Sequence, residues 1–467
     1  MATPARQKYV RSYPLGSDCA IAFQLLEPRT LLASTVPTLS TVATSLGNLL
    51  YVRGTAGDDR IAITNTAAGL RIADGTGWSR LYTGALAQIR VDGGAGNDLV
   101  EINANIKTQV LLYGGAGSDT LRGGSGDDRV YGGDGRDYLY GNAGDDVIVS
   151  LGDGSVDRAY GGRGFDSFWA DAGADERILD IANDEISAGA MHRIERFMDA
   201  PIGATGEWQP VPRTLGATPP NLPDPMFDHG DARYESFANR PLFSKYGPRP
   251  DDVYQGSIGD CYLLASLGAV AKSNPQLIRE RIVDLGDGTF AVQFTGDGAT
   301  AYVRVDADLP VSSAGLVYAK LGRQGSLWVA IVEKAYAFFR SGAGSYASLD
   351  NGFMADVYDH LGLRNSSLFN ATSAESLLQR LQSDLASGRA ITMGTRGDCG
   401  DVPVMGAHAY MVDSVVTDAS GNVTHLRLRN PWGTDDFAGH GPDDGYILLT
   451  AAQAMRVFWF ACSAIVR

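Results

Sequence analysis

Two kinds of apolar patterning divide this 467-residue chain. In the first half an aliphatic residue recurs at every ninth position, at Leu121, Val130, Leu139 and Ile148, each two residues after an aspartate (Asp119, Asp128, Asp137, Asp146). Each unit opens on a glycine, Gly114, Gly123, Gly132 or Gly141, followed by a second glycine that Asn142 replaces in the last unit. Glycines there permit positive φ and a tight turn, and the residues behind them suit a short strand. Stacked units of this kind predict a coil with the aliphatic position inside and the turn carbonyls and carboxylates gathered at its edge. Outlying copies stand at Gly93 with Asp98 and at Gly161 with Asp166, and a weaker one at Gly54 with Asp59. Beyond Asp166 the phase fades into a stretch ending in Pro210, Pro212, Pro219, Pro220, Pro223 and Pro225, which predicts a linker.

The second half reads differently. Gln255-Gly256-Ser257-Ile258-Gly259-Asp260-Cys261 runs into an unbroken apolar stretch, Tyr262 to Ala271, with the character of a buried helix. Further on, Gly406-Ala407-His408-Ala409-Tyr410-Met411-Val412 and Leu426-Arg427-Leu428-Arg429-Asn430-Pro431-Trp432-Gly433 are strand-like and flank the turn signal Asp418-Ala419-Ser420-Gly421-Asn422. They predict an antiparallel hairpin, in which paired residue numbers keep a nearly constant sum, here about twice 420. His408 and Asn430 satisfy that sum within a residue or two, so they are expected to face each other at the open end.

Composition narrows the function classes. A hydrophobic share of 44% excludes a wholly disordered polypeptide, and a net charge of -15 argues against a nucleic-acid or anionic-membrane partner, both of which demand a basic face. No apolar run reaches the roughly 18 residues of a membrane span. Four cysteines, unevenly spaced, are too few for a disulfide framework or a CxxC metal site.

Two sets of residues carry chemistry. In the repeats, Asp98, Asp119, Asp128, Asp137, Asp146 and Asp166 with the turn carbonyls supply the hard oxygen ligands that Ca²⁺ takes. Weak sites of that kind fill at extracellular calcium levels, which points to an extracellular or cell-surface location. In the second half, a loop delivers Cys261 to a helix N-terminus, where the helix dipole favours the thiolate nucleophile. His408 is the expected general base, Asn430 its orienter, Gln255 an oxyanion donor beside the Cys261 backbone N–H, and Trp432 a shield for the His408–Asn430 bond. The other histidines (His192, His229, His360, His425, His440) are expected to be ordinary surface or loop residues.

The repeats resemble the hemolysin-type (RTX) calcium-binding repeat, which implies a parallel β-roll over about Gly93 to Asp166. The series QGSIGDCYLLAS, GAHAYMV, LRNPWG is similar to the catalytic core of the calpain family of papain-like cysteine proteases, over about Pro225 to Arg467. That resemblance implies an α+β papain-like protease of two subdomains meeting across a cleft, acting on protein or peptide substrates. It also implies calcium sites in the core. Asp252 and Asp444 match acidic positions there, whereas Ser326 and Tyr446 stand where acidic partners are expected, so any calcium dependence is expected to act through the repeats. Leu26-Glu27-Pro28-Arg29 and the residues after it resemble the LEPR-type leader of exported planctomycete proteins.

The expected organisation is a leader or disordered segment (1–40), a β-rich calcium-binding repeat domain (41–170, regular repeats 93–166) and a linker (171–225). A protease subdomain with the nucleophile (226–350) and one with the histidine and asparagine (351–467) follow. The expected activity is a calcium-associated cysteine endopeptidase. An adhesion or matrix protein whose protease fold is inactive and merely binds peptide is the alternative from another class, and an acyltransferase using the same triad is a third reading.

Overall fold

The computed structural model describes residues 36–466 apart from 45–46, 174–175, 203–206, 216–219, 368–372 and 436–443. The leader-like segment, Cys19 and His440 lie outside the described residues.

Nine-residue units alternate between two parallel ladders, so each full turn of the coil consumes two units. One ladder stacks Gly47–Arg53, Gln88–Ala95, Val110–Ala116, Arg129–Asp134, Val147–Ser150, Ser167–Asp171 and Met191–Ile194. The other stacks Arg60–Thr66, Leu99–Ile102, Thr120–Arg122, Tyr138–Ala143, Arg158–Arg163 and Arg177–Ile178. Strand Thr38–Thr44 and strands Gly69–Ala73 and Ser79–Tyr82 pair antiparallel at one end and close those edges. The aliphatic position fills the interior as the repeat predicts: Leu121, Val130 and Leu139 are 0% exposed and Ile148 1%. This is the expected parallel β-solenoid.

The ladder does not stop at residue 170. Ser167–Asp171 pairs with Met191–Ile194, and Arg158–Arg163 with Arg177–Ile178, inside the stretch expected as a linker. Backbone pairing continues because Glu176 and Glu185 take the carboxylate places that the lapsed repeat no longer fills with aspartate. Farther along, the proline-rich stretch lies against the C-terminal half. The buried Arg304 guanidinium donates to the carbonyls of Pro212 and Thr214 and pairs with Asp287, and Lys334 pairs with Asp224.

The solenoid and the C-terminal half share one apolar core. Tyr131, Val149, Trp169 and Ile194 pack with residues of helix Cys261–Ser273 and of the sheet Ile282–Asp284, Thr289–Gly296 and Ala299–Asp306. His192 sits at this junction and is 0% exposed, stacked on Trp169 at 3.8 Å with Glu280 at 3.9 Å. The expected surface role is therefore wrong for His192. It belongs to a strand whose outer face is covered, which a single sequence does not announce.

The C-terminal half places helices Cys261–Ser273, Pro275–Arg281 and Trp328–Phe339 on one side. Opposite stands a six-stranded antiparallel sheet in the order Asn365–Ser367, Phe458–Ile465, Arg389–Thr395, Ala409–Thr417, Val423–Arg429, Tyr446–Thr450. A second apolar cluster fills the space between that sheet and helices Ala374–Ala386 and Ala451–Val457. Helix Cys261–Ser273 packs on the central strands Arg389–Thr395 and Ala409–Thr417, with Gly268 close to the Met411 side chain and its N-terminal end at the start of the second, beside Ala409. Among the described residues no helix is long and apolar enough to cross a membrane.

Candidate active site and carboxylate ladder

Cys261 is the first residue of its helix, as the glycine-flanked loop predicts. Gly256 is required in that loop, because a Cβ there would collide with the backbone carbonyls of Val317 and Tyr318. Across the cleft the hairpin forms in the expected register, Met411 opposite Arg429 and Val412 opposite Leu428, each pair summing to about twice 420. His408 and Asn430 lie just beyond the paired strands and meet there, with His408 Nε2 2.9 Å from Asn430 Oδ1. Since the amide oxygen only accepts, Nε2 carries the proton and Nδ1 keeps its lone pair. Trp432 lies over the imidazole, ring centroids 4.7 Å apart, and its backbone N–H donates to the same Oδ1 at 3.1 Å.

Cys261, His408, Gln255 and Trp432 line one open recess, and Cys261 and His408 also line the next, which Phe353, Met354, Trp459 and Phe460 complete. The Gln255 side-chain amide donates to the Ile258 carbonyl at 2.5 Å, so one of its two N–H groups is used within the loop.

The electrostatics depart from the expected thiolate. Burial pushes the Cys261 thiol up to about 11, with the neighbouring Asp260 adding to the rise and the Ala409 backbone N–H opposing it. Burial also pulls His408 down to about 4. A helix N-terminus contributes less than desolvation costs here, so both groups rest uncharged around neutrality.

Three features had no sequence signal. Thr395 Oγ1 accepts from the His408 backbone N–H at 2.9 Å and donates to the Met405 carbonyl at 2.7 Å, fixing the chain that carries the imidazole. Ala407 takes a positive φ of 52° immediately before it. Arg429 crosses the cleft, as described below.

In the solenoid the six expected aspartates fall into two ladders. In one, Asp98 N–H donates to Asp119 Oδ1, Asp119 N–H to Asp137 Oδ1 and Asp137 N–H to Asp157 Oδ1. In the other, Asp128 N–H donates to Asp146 Oδ1 and Asp146 N–H to Asp166 Oδ1. Asp157 is an additional member, hidden from the repeat because the turn before it is two residues longer. Each accepting carboxylate thus spends one oxygen on the N–H of the preceding turn. The second oxygen of Asp98, Asp119, Asp137 and Asp146 is buried without a hydrogen-bond partner. For Asp98, Asp119 and Asp146 it lies near a glycine carbonyl of the following turn, for example Asp119 Oδ2 and Gly132 O on either side of where a Cβ on Gly114 would stand. Burial raises Asp98 to about 7, Asp137 to about 8 and Asp146 to about 8. Unpaired buried oxygens beside carbonyls, disfavoured as bare anions, fit a hard cation. Among the described residues no three His, Cys, Asp or Glu side chains converge, so carbonyls complete any such site.

The core positions expected from the resemblance do not fit one. Both Asp252 oxygens are taken, by the N–H groups of Arg249, Arg323 and the Trp328 indole, and Tyr446 lies under the Arg427 guanidinium at 3.8 Å.

The calpain family cysteine protease pattern matches residues 225–446, and the RTX calcium-binding nonapeptide repeat matches 113–148 and 151–176. This chain carries a calpain-family protease domain preceded by RTX calcium-binding repeats. Similar proteins include the calpain-1 catalytic subunit of Rattus norvegicus, 28% identical over 225 residues, 44% of this chain and 31% of that protein. Calpain-12 of Mus musculus is 29% identical over 225 residues, 45% and 31% of the two chains. The calpain-1 catalytic subunit of Bos taurus is 27% identical over 277 residues, 55% and 36% of the two chains. The chain thus spans about a third of the length of these curated relatives. Cys261, His408 and Asn430 all fall inside the calpain domain, whereas the carboxylate ladders run from ahead of the matched repeats to beyond them.

Proposed function

We propose that the protein is a secreted or surface-attached cysteine endopeptidase that hydrolyses peptide bonds through Cys261, His408 and Asn430, with calcium held by the solenoid carboxylates. The observation that carries the reading is the His408–Asn430 hydrogen bond of 2.9 Å on the wall of the recess that Cys261 also lines.

The chemistry follows from a neutral thiol and a neutral imidazole. As Cys261 Sγ attacks the peptide carbonyl, its proton passes to His408 Nδ1, and the Asn430 amide oxygen steadies the imidazolium through Nε2–H. The second Gln255 amide N–H and the Cys261 backbone N–H support the oxyanion. The imidazolium then protonates the leaving amine as the C–N bond breaks, giving a thioester. His408, neutral again, takes a proton from water, whose oxygen displaces the thiol and releases the acid product. The unpartnered second oxygens of Asp98, Asp119, Asp137 and Asp146, with the turn carbonyls, would hold calcium, which would supply countercharge for the two ladders; Asp128 spends its second oxygen on the Gly124 N–H at 2.6 Å and fits that role less well than the repeat predicts.

Purified protein incubated with casein, with calcium or with EDTA, beside a Cys261→Ala variant, tests this. Hydrolysis by the parent and none by the variant is expected. Equal hydrolysis by both removes the nucleophile assignment, and no hydrolysis by either removes the peptidase reading.

A further inference from the structure

The two walls of the cleft are tied together at one buried arginine. Arg429 ends the strand Val423–Arg429, one residue before Asn430, and is 3% exposed. Its guanidinium reaches out of its own sheet to the nucleophile side: Nε donates to the Pro250 carbonyl at 2.9 Å and Nη2 to the Val253 carbonyl at 3.2 Å. Nη1 stays on its own side, with the Asp444 carbonyl at 3.4 Å. Alongside, the Gln255 backbone N–H donates to the Pro431 carbonyl at 2.8 Å. Segment 250–255, which ends in Gln255, and segment 429–431, which contains Asn430, are therefore cross-bonded on both sides of the arginine.

At its N-terminus helix Cys261–Ser273 meets the sheet side through the Ala409 backbone N–H, which faces the Cys261 thiol, and its remaining ties, with those of the following residue, lie at the opposite end. They join Lys272 to Asp413, Ser273 to the Arg389 carbonyl and Asn274 to the Val466 carbonyl. A helix rises about 1.5 Å per residue, which puts these ties about 16 Å from Cys261, so segment 250–255 that carries Gln255 is held to the sheet side by the arginine and the Gln255–Pro431 bond. A planar fork with five N–H groups can hold three carbonyls in fixed directions, and a lysine ammonium in the same place cannot.

Building on the peptidase reading, we propose that Arg429 is a positioning residue for the reaction, holding Gln255 and Asn430 at a fixed separation across the cleft. It touches no reacting atom. Its bonds end two residues from Gln255 on one side and one residue from Asn430 on the other. A shift of about 1 Å at such groups costs on the order of a hundredfold in rate.

The test uses the full chain in calcium, with Arg429→Lys and Arg429→Met. Two rates are measured well below each variant's Tm and corrected for folded fraction by near-UV circular dichroism. One is peptide hydrolysis per titrated active site. The other is alkylation of Cys261 by iodoacetamide at pH 6, which needs His408 across the cleft but no hydrolysis. For Arg429→Lys a fall in kcat of about 10- to 100-fold is expected, with KM within about twofold and alkylation about tenfold slower. A purely structural arginine would lower Tm and leave both corrected rates at the parental values, and that result overturns the proposal. Should Arg429→Met fail to fold, the lysine variant carries the decision. If the parent hydrolyses no peptide, the peptidase reading fails by itself, and alkylation still decides whether Arg429 sets the geometry of the cleft.

Discussion

Removing calcium is expected to reverse the sign of the solenoid's response to pH. The perturbation is EDTA at pH 5, 7 and 9, and the groups concerned are the buried carboxylates. Asp119 is raised to about 6, Asp98, Asp128 and Asp166 to about 7, Asp137 and Asp146 to about 8 and Asp157 to about 9, in every case first by burial. Each folded-state value lies above the unfolded one, so without metal the folded chain binds the extra protons. That contribution is fully present below the unfolded value near 4 and is lost as pH rises through the window from 6 to 9. One unit corresponds to about 1.4 kcal/mol, and discounting each shift for screening and for repulsion shared among neighbouring carboxylates gives a working figure of about 1–2 kcal/mol per carboxylate. Over the seven carboxylates of the two ladders this is of the same order as the whole folding free energy of a domain, about 5–15 kcal/mol. Thermal unfolding followed by far-UV circular dichroism should therefore show Tm falling from pH 5 to pH 9 in EDTA. In millimolar calcium, where protons compete with the metal, Tm should be level or rise over the same range. Asp137→Asn keeps the oxygen that accepts from Asp119 N–H and discards the charge. It should raise Tm in EDTA at pH 9 and lower it in calcium. A Tm in EDTA that is flat or rises with pH would refute the reasoning, as would an Asp137→Asn shift of the same sign in both conditions.

Three further outcomes follow from the site and the core. Asn430→Ala frees the imidazole from its 2.9 Å partner and should lower kcat by about 10²-fold with little change in KM, read from initial rates on a peptide substrate. With His408 held down at about 4 and Cys261 up at about 11, kcat/KM in saturating calcium should keep an acid limb well below 6.5 and no alkaline thiol limb below pH 9. An acid limb at 6.5 would show that burial does not control the imidazole. Leu139→Ala, at a position with no exposure inside the coil, should cost about 2–5 kcal/mol by chemical denaturation in calcium.

Much of this molecule is legible without coordinates because its chemistry is written in local spacing. A nine-residue phase with glycine, aspartate and an aliphatic residue at set places has one way to stack, and Leu121, Val130, Leu139 and Ile148 are indeed interior. The hairpin sum brings His408 to Asn430 because an antiparallel register is fixed by its turn, and Asp418 to Asn422 make that turn, with Asp418 N–H bonded to the Asn422 carbonyl. Cys261 at a helix start follows from glycines that an apolar helix succeeds.

What tertiary structure alone decided are the terms that depend on what lies across a gap. Glu176 and Glu185 continue the carboxylate ladder after the repeat lapses, because stacking turns require an acceptor there and not a particular sequence phase. The apolar outer face of Tyr131, Val149 and Trp169 turned an expected linker region into part of a shared core, and buried His192 with it. Thr395 and Arg429 act on segments distant in the chain, through carbonyls that no residue type advertises. Desolvation is likewise a property of the assembled surroundings. The chain determined that a thiol stands at a helix N-terminus, and the packing around it determined that the thiol keeps its proton, since burial outweighs the partial charge of a helix end.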